Sequence, residues 1–145
     1  MQLTIRQANR NDLPAIRELY NQPDFHDGTS ASVEQAEQIL KVIESYPNYK
    51  VFVACVGDEV VGTFALLILE SLSGEYSGLI EDVIVKDSYR GKSVGKQMMT
   101  FALLKGKEAN CYKVALSSNV KRERAHKFYE SLGFERHGYS FVVEL

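Results

Sequence analysis

The sequence predicts one mixed α+β domain, with a single central sheet and helices on both faces. Three observations carry this. A chain of 145 residues suits one domain with one sizeable core. Strand and helix periodicities alternate along it, with no repeat, low-complexity tract or linker. Antiparallel strands come first, and a β-α-β-α-β section closes the chain.

The elements follow in order. "LTIRQA" reads as a strand. "NDLPAIRELYNQ" reads as a helix, with Asn11 as N-cap and Pro14 tolerated in the first turn. "PDFHDGTSA" is a polar loop. "SVEQAEQILKVIESY" is a helix with Ser32 and Gln35 in capping-box spacing. Its apolar face is Val33, Ala36, Ile39, Leu40 and Ile43. "KVFVACV" and "VVGTFALLILE" are strands joined through Gly57-Asp58-Glu59, a short hairpin connection. "YSGLIEDVIV" is a third long strand. A helix follows from about Ser93 to Asn110, with Val94, Met98, Phe101, Ala102 and Leu104 near one face. "CYKVALSS" is a strand, and "RERAHKFYESL" a helix closed by Gly133. "RHGYSFVVEL" ends the chain as a strand.

Composition excludes some functions. A net charge of -2 lacks the basic excess of a bulk nucleic-acid binder. Cys55 and Cys111 lie in apolar runs without metal-ligand spacing, so they read as buried reduced thiols and no metal site is expected. "MQLTIRQANR" has no apolar signal core, and "VVGTFALLIL" is too short to span a bilayer as a helix. A cytoplasmic protein without membrane contact is the expectation.

The stretch "DSYRGKSVGKQMM" carries the chemistry. It turns a strand into a helix through Arg90, Gly91, Lys92, Ser93 and Gly95. Glycines let a ligand approach the backbone closely. The first N–H groups of the helix have no intrahelical partner, and its dipole is positive there. Arg90, Lys92 and Lys96 add full charges. On its own the stretch fits either a plain turn or a phosphate or pyrophosphate site. It matches neither G-x-x-x-x-G-K-[ST] nor G-x-G-x-x-G.

A second landmark, "AHKFYESLGF", follows downstream. The two together resemble the GCN5-related N-acetyltransferase (GNAT) family, whose pyrophosphate loop reads [QR]-x-x-G-x-[GA]. Here that loop is Arg90-Gly91-Lys92-Ser93-Val94-Gly95, with Ser93 where the family has a glycine. "LSSNVKRERAHKFYESLGF" looks similar to aminoalkylphosphonate N-acetyltransferases. "GLIEDVIV" before "YRGKSVGK" looks similar to glucosamine-6-phosphate N-acetyltransferases. The resemblance implies the GNAT fold: a mixed, mostly antiparallel sheet with a splayed parallel strand pair.

It also implies a site for acetyl-CoA. The strand Val83-Ile84-Val85 would hold the pantetheine arm through its backbone, as an added strand would. The N–H groups of Gly91, Lys92, Ser93, Val94, Gly95 and Lys96 would hold the pyrophosphate. Asn119 stands where relatives often touch the pantetheine. Tyr129 stands where relatives place a phenol near the thioester sulfur, and it would protonate the leaving thiolate. The acceptor must attack as a neutral amine, so a base is expected. Adjacent strand residues point to opposite faces, so at most one of Glu81 and Asp82 can easily serve. Glu81 is the choice, since relatives often carry a carboxylate there. His126, one helical turn before Tyr129, comes second.

The resemblance places acceptor recognition on the first two helices, their loop and the C-terminal residues. Tyr20, Phe25, His26 and Asp27 are candidates, with His137, Tyr139 and Glu144. The expected reaction is direct acetyl transfer to the primary amine of a small molecule, an aminophosphonate or amino sugar phosphate among the options. Two alternatives stay open: acetylation of a protein or peptide, and a non-catalytic acyl-CoA sensor. Homodimers are common in the family.

Overall fold

A computed structural model describes residues 1–25 and 31–145. Backbone contacts divide the chain into two units, Met1–Ala115 and Leu116–Leu145.

The first unit opens with strand β1 (Thr4–Gln7) and a 3-10 turn, Arg10–Asp12. Asn9, not Asn11, is the cap: its side chain accepts from Asn11 N–H, and the Asp12 carboxylate accepts from Asn9 N–H in return. Helix α1 (Leu13–Tyr20) follows, with Pro14 in its first turn, where no N–H is needed. Helix α2 (Val33–Glu44) starts with the expected box, Ser32 and Gln35 each bonding the other's backbone. Strands β2 (Tyr49–Val56) and β3 (Glu59–Glu70) are joined by Gly57 and Asp58, with Gly57 at φ 58°. Strand β4 (Tyr76–Val85) matches "YSGLIEDVIV" residue for residue. A 3-10 turn (Asp87–Tyr89) leads to helix α3 (Val94–Glu108) and strand β5 (Cys111–Ala115).

These strands form a mixed sheet ordered β1-β2-β3-β4-β5. Neighbours are antiparallel except β4 and β5, which run parallel. Helices α1 and α2 cover one face, where Leu13, Ile16 and Leu40 meet Val53 and Cys55. On the other face Phe52, Phe64 and Phe101 stack and meet edge-on, and Val94, Met98, Met99 and Ala102 of α3 are buried. Each fully buried Phe, Val or Met among them contributes about 1.5–3 kcal/mol of burial. Leu104, expected on this face, is 52% exposed, because two residues beyond Ala102 is about 200° around a helix. Ile39 of α2 is likewise outside the core, at 50% exposed. Gly62 on β3 is required by α3: a Cβ there would lie 2.5 Å from Met98 Sδ.

The second unit holds helix α4 (Glu123–Ser131). The strand expected from "RHGYSFVVEL" is not formed: among the described residues, 134–145 have no ladder partner. A strand's backbone groups need a neighbour to bond. Here Ser140 reaches Ser117 through an Oγ–Oγ hydrogen bond of 2.9 Å, while Tyr139, Phe141, Val142, Val143 and Leu145 stay exposed.

Candidate active site

The sheet opens along β4. Strand β5 pairs with it from Tyr76 to Leu79, and among the described residues no ladder partner is found for Ile80 to Val85 on that side. Lys86 N–H bonds Val61 O of β3 at 2.8 Å. The Val85 carbonyl, in the same peptide unit, therefore points to the open side. By the alternation of an antiparallel ladder, Val83 shares that direction, while Ile84, paired with Thr63 and buried, turns its groups to β3. The Val85 carbonyl accepts from Gln22 Nε2 at 3.2 Å, and the Gln22 Oε1 accepts from Asp87 N–H at 2.9 Å.

The same strand carries a bulge. Ala65 pairs with Glu81 and Thr63 with Ile84, so β4 has one residue more than β3 across this step. Asp82 takes up the extra length at φ 54°, a left-handed conformation that costs a non-glycine residue about 1–2 kcal/mol. Strict alternation fails here. Glu81 and Asp82 both act on the Tyr49 phenol, whose pKa is raised first by burial, then by Asp82 and Glu81. The Tyr20 phenol is pushed up to about 12 by burial, then by Asp82 and Tyr49. The Asp82 carboxyl is itself raised by burial, and it has no hydrogen bond or ion pair among the described residues. Tyr20 also packs on Phe25, with ring centroids 5.1 Å apart. His26 and Asp27 lie outside the described residues.

After β4 the chain reaches the glycine-containing loop. Gly91 is at φ 75° and Ser93 at φ 67°. Ser93 is the N-cap of α3 but makes no side-chain cap. It thus adopts the backbone conformation that a glycine would take without strain. No hydrogen bond among the described residues engages the N–H groups of Gly91, Ser93, Val94, Gly95 or Lys96. Lys92 N–H makes one long bond, 3.4 Å, to Tyr89 O. This is a run of free donors at the positive end of a 15-residue helix. The Lys92 ammonium lies over the Tyr89 ring, and the Arg90 guanidinium bonds Asp24 at 2.7 Å and Asp87 at 2.8 Å. A hollow of about 270 Å³ lies between α1 and the β2–β3 hairpin, lined by Asp12, Glu18, Gln22 and Glu59 among others, and none of the sequence-predicted site residues lines it.

In the second unit, α4 positions Tyr129. The helix ends in a Schellman motif: Phe134 N–H bonds Tyr129 O, and Gly133 N–H, at φ 96°, bonds Glu130 O. The Phe134 ring meets the Tyr129 ring edge-on at 5.8 Å. Burial raises the Tyr129 phenol pKa, with Arg122 pulling weakly the other way. Asn119 forms a local turn, its Oδ1 accepting from Lys121 N–H at 2.9 Å. Its carbonyl oxygen lies 2.8 Å from His126 Nε2, which ties that ring to the turn.

The profile of the Acetyltransferase (GNAT) family matches residues 13–134. The chain belongs to the GNAT family. This GNAT chain is 38% identical over 98 residues to the glucosamine 6-phosphate N-acetyltransferase of Trypanosoma brucei brucei, covering 66% of this chain and 65% of that one. It is 30% identical over 100 residues to the aminoalkylphosphonate N-acetyltransferase of Salmonella typhimurium, covering 68% and 65%. The chain thus spans just under two thirds of the length of each. Among solved structures, a Trypanosoma brucei acetyltransferase superposes with a TM-score of 0.87 at 28% identity, covering 99% of this chain and 100% of that one. The GNAT assignment accounts for the landmarks that the sequence showed. Sequence reasoning missed Gln22 and Tyr49 as neighbours of the β4 end and bulge, and it set Asp82 aside. No local motif marks them, because each acts through a partner distant in the chain.

Proposed function

We propose that the chain is an acetyl-CoA-dependent N-acetyltransferase acting on the primary amine of a small molecule. The observation that carries this is the set of N–H groups of Gly91, Ser93, Val94, Gly95 and Lys96 without a partner among the described residues, directly after the open edge of β4. Bound acetyl-CoA supplies a thioester whose carbonyl carbon the amine attacks, forming C–N and breaking C–S. Val83 and Val85 offer their backbone groups to the pantetheine arm. Gly91, Ser93, Val94, Gly95 and Lys96 offer N–H groups to the pyrophosphate, with the charges of Lys92 and Lys96 beside them. Tyr129 is the acid that gives a proton to the departing thiolate, and its raised pKa keeps that proton in place at neutral pH.

Asp82, with Glu81 beside it, is the carboxylate that accepts the amine's proton directly or through water. The acceptor's ammonium loses that proton at a cost of about 4–5 kcal/mol at pH 7. A carboxyl whose pKa is raised by partial desolvation, as that of Asp82 is, lies closer to that task than an ordinary one. The two curated relatives are named for acceptors that join an amine to a phosphate or phosphonate group. Aminoalkylphosphonates and amino sugar phosphates are therefore the first acceptors for this chain.

The test combines calorimetric titration of acetyl-CoA with thiol release across a panel of those acceptors, polyamines, amino acids and peptides. Saturable acetyl-CoA binding, with turnover of one small-amine class, is the expected result. Turnover of peptides alone would move the acceptor to a protein N-terminus. Binding without any turnover would favour a sensor, and no binding would overturn the reading of the loop.

A further inference from the structure

The turn between Leu116 and α4 uses the side chains on both sides of Ser118, and not that of Ser118 itself. Ser117 Oγ meets Ser140 Oγ at 2.9 Å. Asn119 Oδ1 accepts from Lys121 N–H at 2.9 Å. The Asn119 carbonyl oxygen accepts from Arg122 N–H at 3.0 Å and lies 2.8 Å from His126 Nε2. Ser118 Oγ is buried and has no hydrogen-bond partner among the described residues. A hydroxyl carries one donor and two lone pairs, and burying it unpaired costs stability. Such a group calls for a reason. The His126 contact also fixes where the turn lies. His126 and Tyr129 are three residues apart on α4 and so share a helix face. The backbone beside Ser118 is thus tied to the face of α4 that carries the phenol.

We propose that Ser118 is a further donor-binding residue, its hydroxyl bonding the pantetheine amide nearest the thioester. The inference rests on the proposed reading of Tyr129 as the acid at the sulfur. The next polar group along the arm is that amide, two carbons from the sulfur, and it needs a partner once it leaves water. An amide offers an N–H and a carbonyl, and a hydroxyl answers either. Asn119 is the candidate for the arm from sequence, but its Oδ1 is committed to the turn. Ser118 keeps part of its surface exposed, and a change of χ1 between staggered wells moves its Oγ without moving the backbone. Donor binding then satisfies a hydroxyl that no described residue satisfies.

Calorimetric titration and thermal unfolding of the whole chain test this, with CoA and with its nucleotide half, adenosine 3′-phosphate 5′-diphosphate. The two ligands share the pyrophosphate and differ in the arm. In Ser118→Ala, CoA affinity is expected to fall about three- to tenfold, the size of one net hydrogen bond, while affinity for the nucleotide half stays within about twofold. Without ligand, the variant should unfold at the wild-type temperature or above it, because no internal bond is lost. Asn119→Asp keeps the Oδ1 acceptor and removes the amide donor, and it should leave the ratio of the two affinities unchanged. An unchanged ratio in Ser118→Ala, with CoA still bound, would overturn the assignment and leave the donor site standing. A Tm several degrees below wild type in Ser118→Ala would overturn it too, by placing the hydroxyl in the fold. A changed ratio in Asn119→Asp alone would hand the contact to Asn119. Absence of CoA binding to the wild type would overturn the assignment together with the donor reading.

Discussion

Asp82 follows Glu81 at φ 54° in the β4 bulge, where Glu81 pairs with Ala65 and Ile84 with Thr63, so the strict alternation that would send the two carboxylates to opposite faces does not hold. Asp82 is the one whose carboxyl burial raises. Asp82→Asn is therefore expected to lower kcat about a hundredfold, and Glu81→Gln less than about tenfold. The sign in pH follows. A base with a raised pKa stays protonated to a higher pH, so the acidic limb of kcat/KM lies above the ordinary carboxylate range. Asp82→Asn should flatten that limb. Equal losses in the two variants would remove the distinction between them.

Tyr129→Phe removes the proposed acid and keeps the edge-on packing against Phe134. The expected outcome is a drop in thiol release of about a hundredfold. Acetyl-CoA affinity by calorimetry should stay within about twofold. Because burial raises the phenol's pKa, the wild-type rate should hold until the pH passes the ordinary tyrosine value of about 10. A parallel loss of affinity would mean that Tyr129 serves binding instead.

Arg6 and Asp12 pin β1 to the start of α1 through two hydrogen bonds of 2.7 and 2.8 Å. The Asp12 carboxyl is held below its ordinary value, first by the Arg6 hydrogen bond, against the opposing effect of burial, and then by Asn9 N–H. A depressed pKa stabilises the fold above the unfolded value of about 4 and loses that contribution as pH falls through the folded value. Asp12→Asn should cost about 2 kcal/mol in urea unfolding at pH 7. That is less than for a fully buried pair, since the Arg6 side chain is 42% exposed. The difference from wild type should shrink below pH 4, and a constant difference would assign the effect to packing.

Ser93 holds its left-handed backbone without a side-chain cap to compensate. Ser93→Gly removes about 1–2 kcal/mol of strain and adds about 0.5–1 kcal/mol of unfolded-state entropy. A net gain of about 0.5 kcal/mol in thermal unfolding is expected, with acetyl-CoA affinity retained. Ser93→Val should lose both stability and affinity. Tolerance of valine without loss would contradict the loop conformation.

Much of the fold was legible because its signals are local. The Ser32–Gln35 box, the Gly133 C-cap and the whole of β4 follow from a few adjacent residues. Asn9 rather than Asn11 caps the first turn, and its partner in the box, Asp12, is also held by Arg6 of another element. The C-terminal residues have strand composition but lack a ladder partner, and composition cannot supply one. The bulge is a property of two strands together, so "LIEDVIV" gives no sign of it. Glu81 was reachable from the sequence, whereas the left-handed backbone of Asp82 belongs to the pairing.

Among the described residues the edge from Ile80 to Val85 has no strand on the β5 side, so part of the sheet is left to be completed there. On the proposed reading, the donor becomes a structural member as well as a reactant. A ligand at a hundred times its Kd adds about 2.7 kcal/mol to unfolding by mass action. For a protein of this size that is several degrees in Tm. The folded population then tracks the supply of donor, and a chain starved of it is the one that proteases find first.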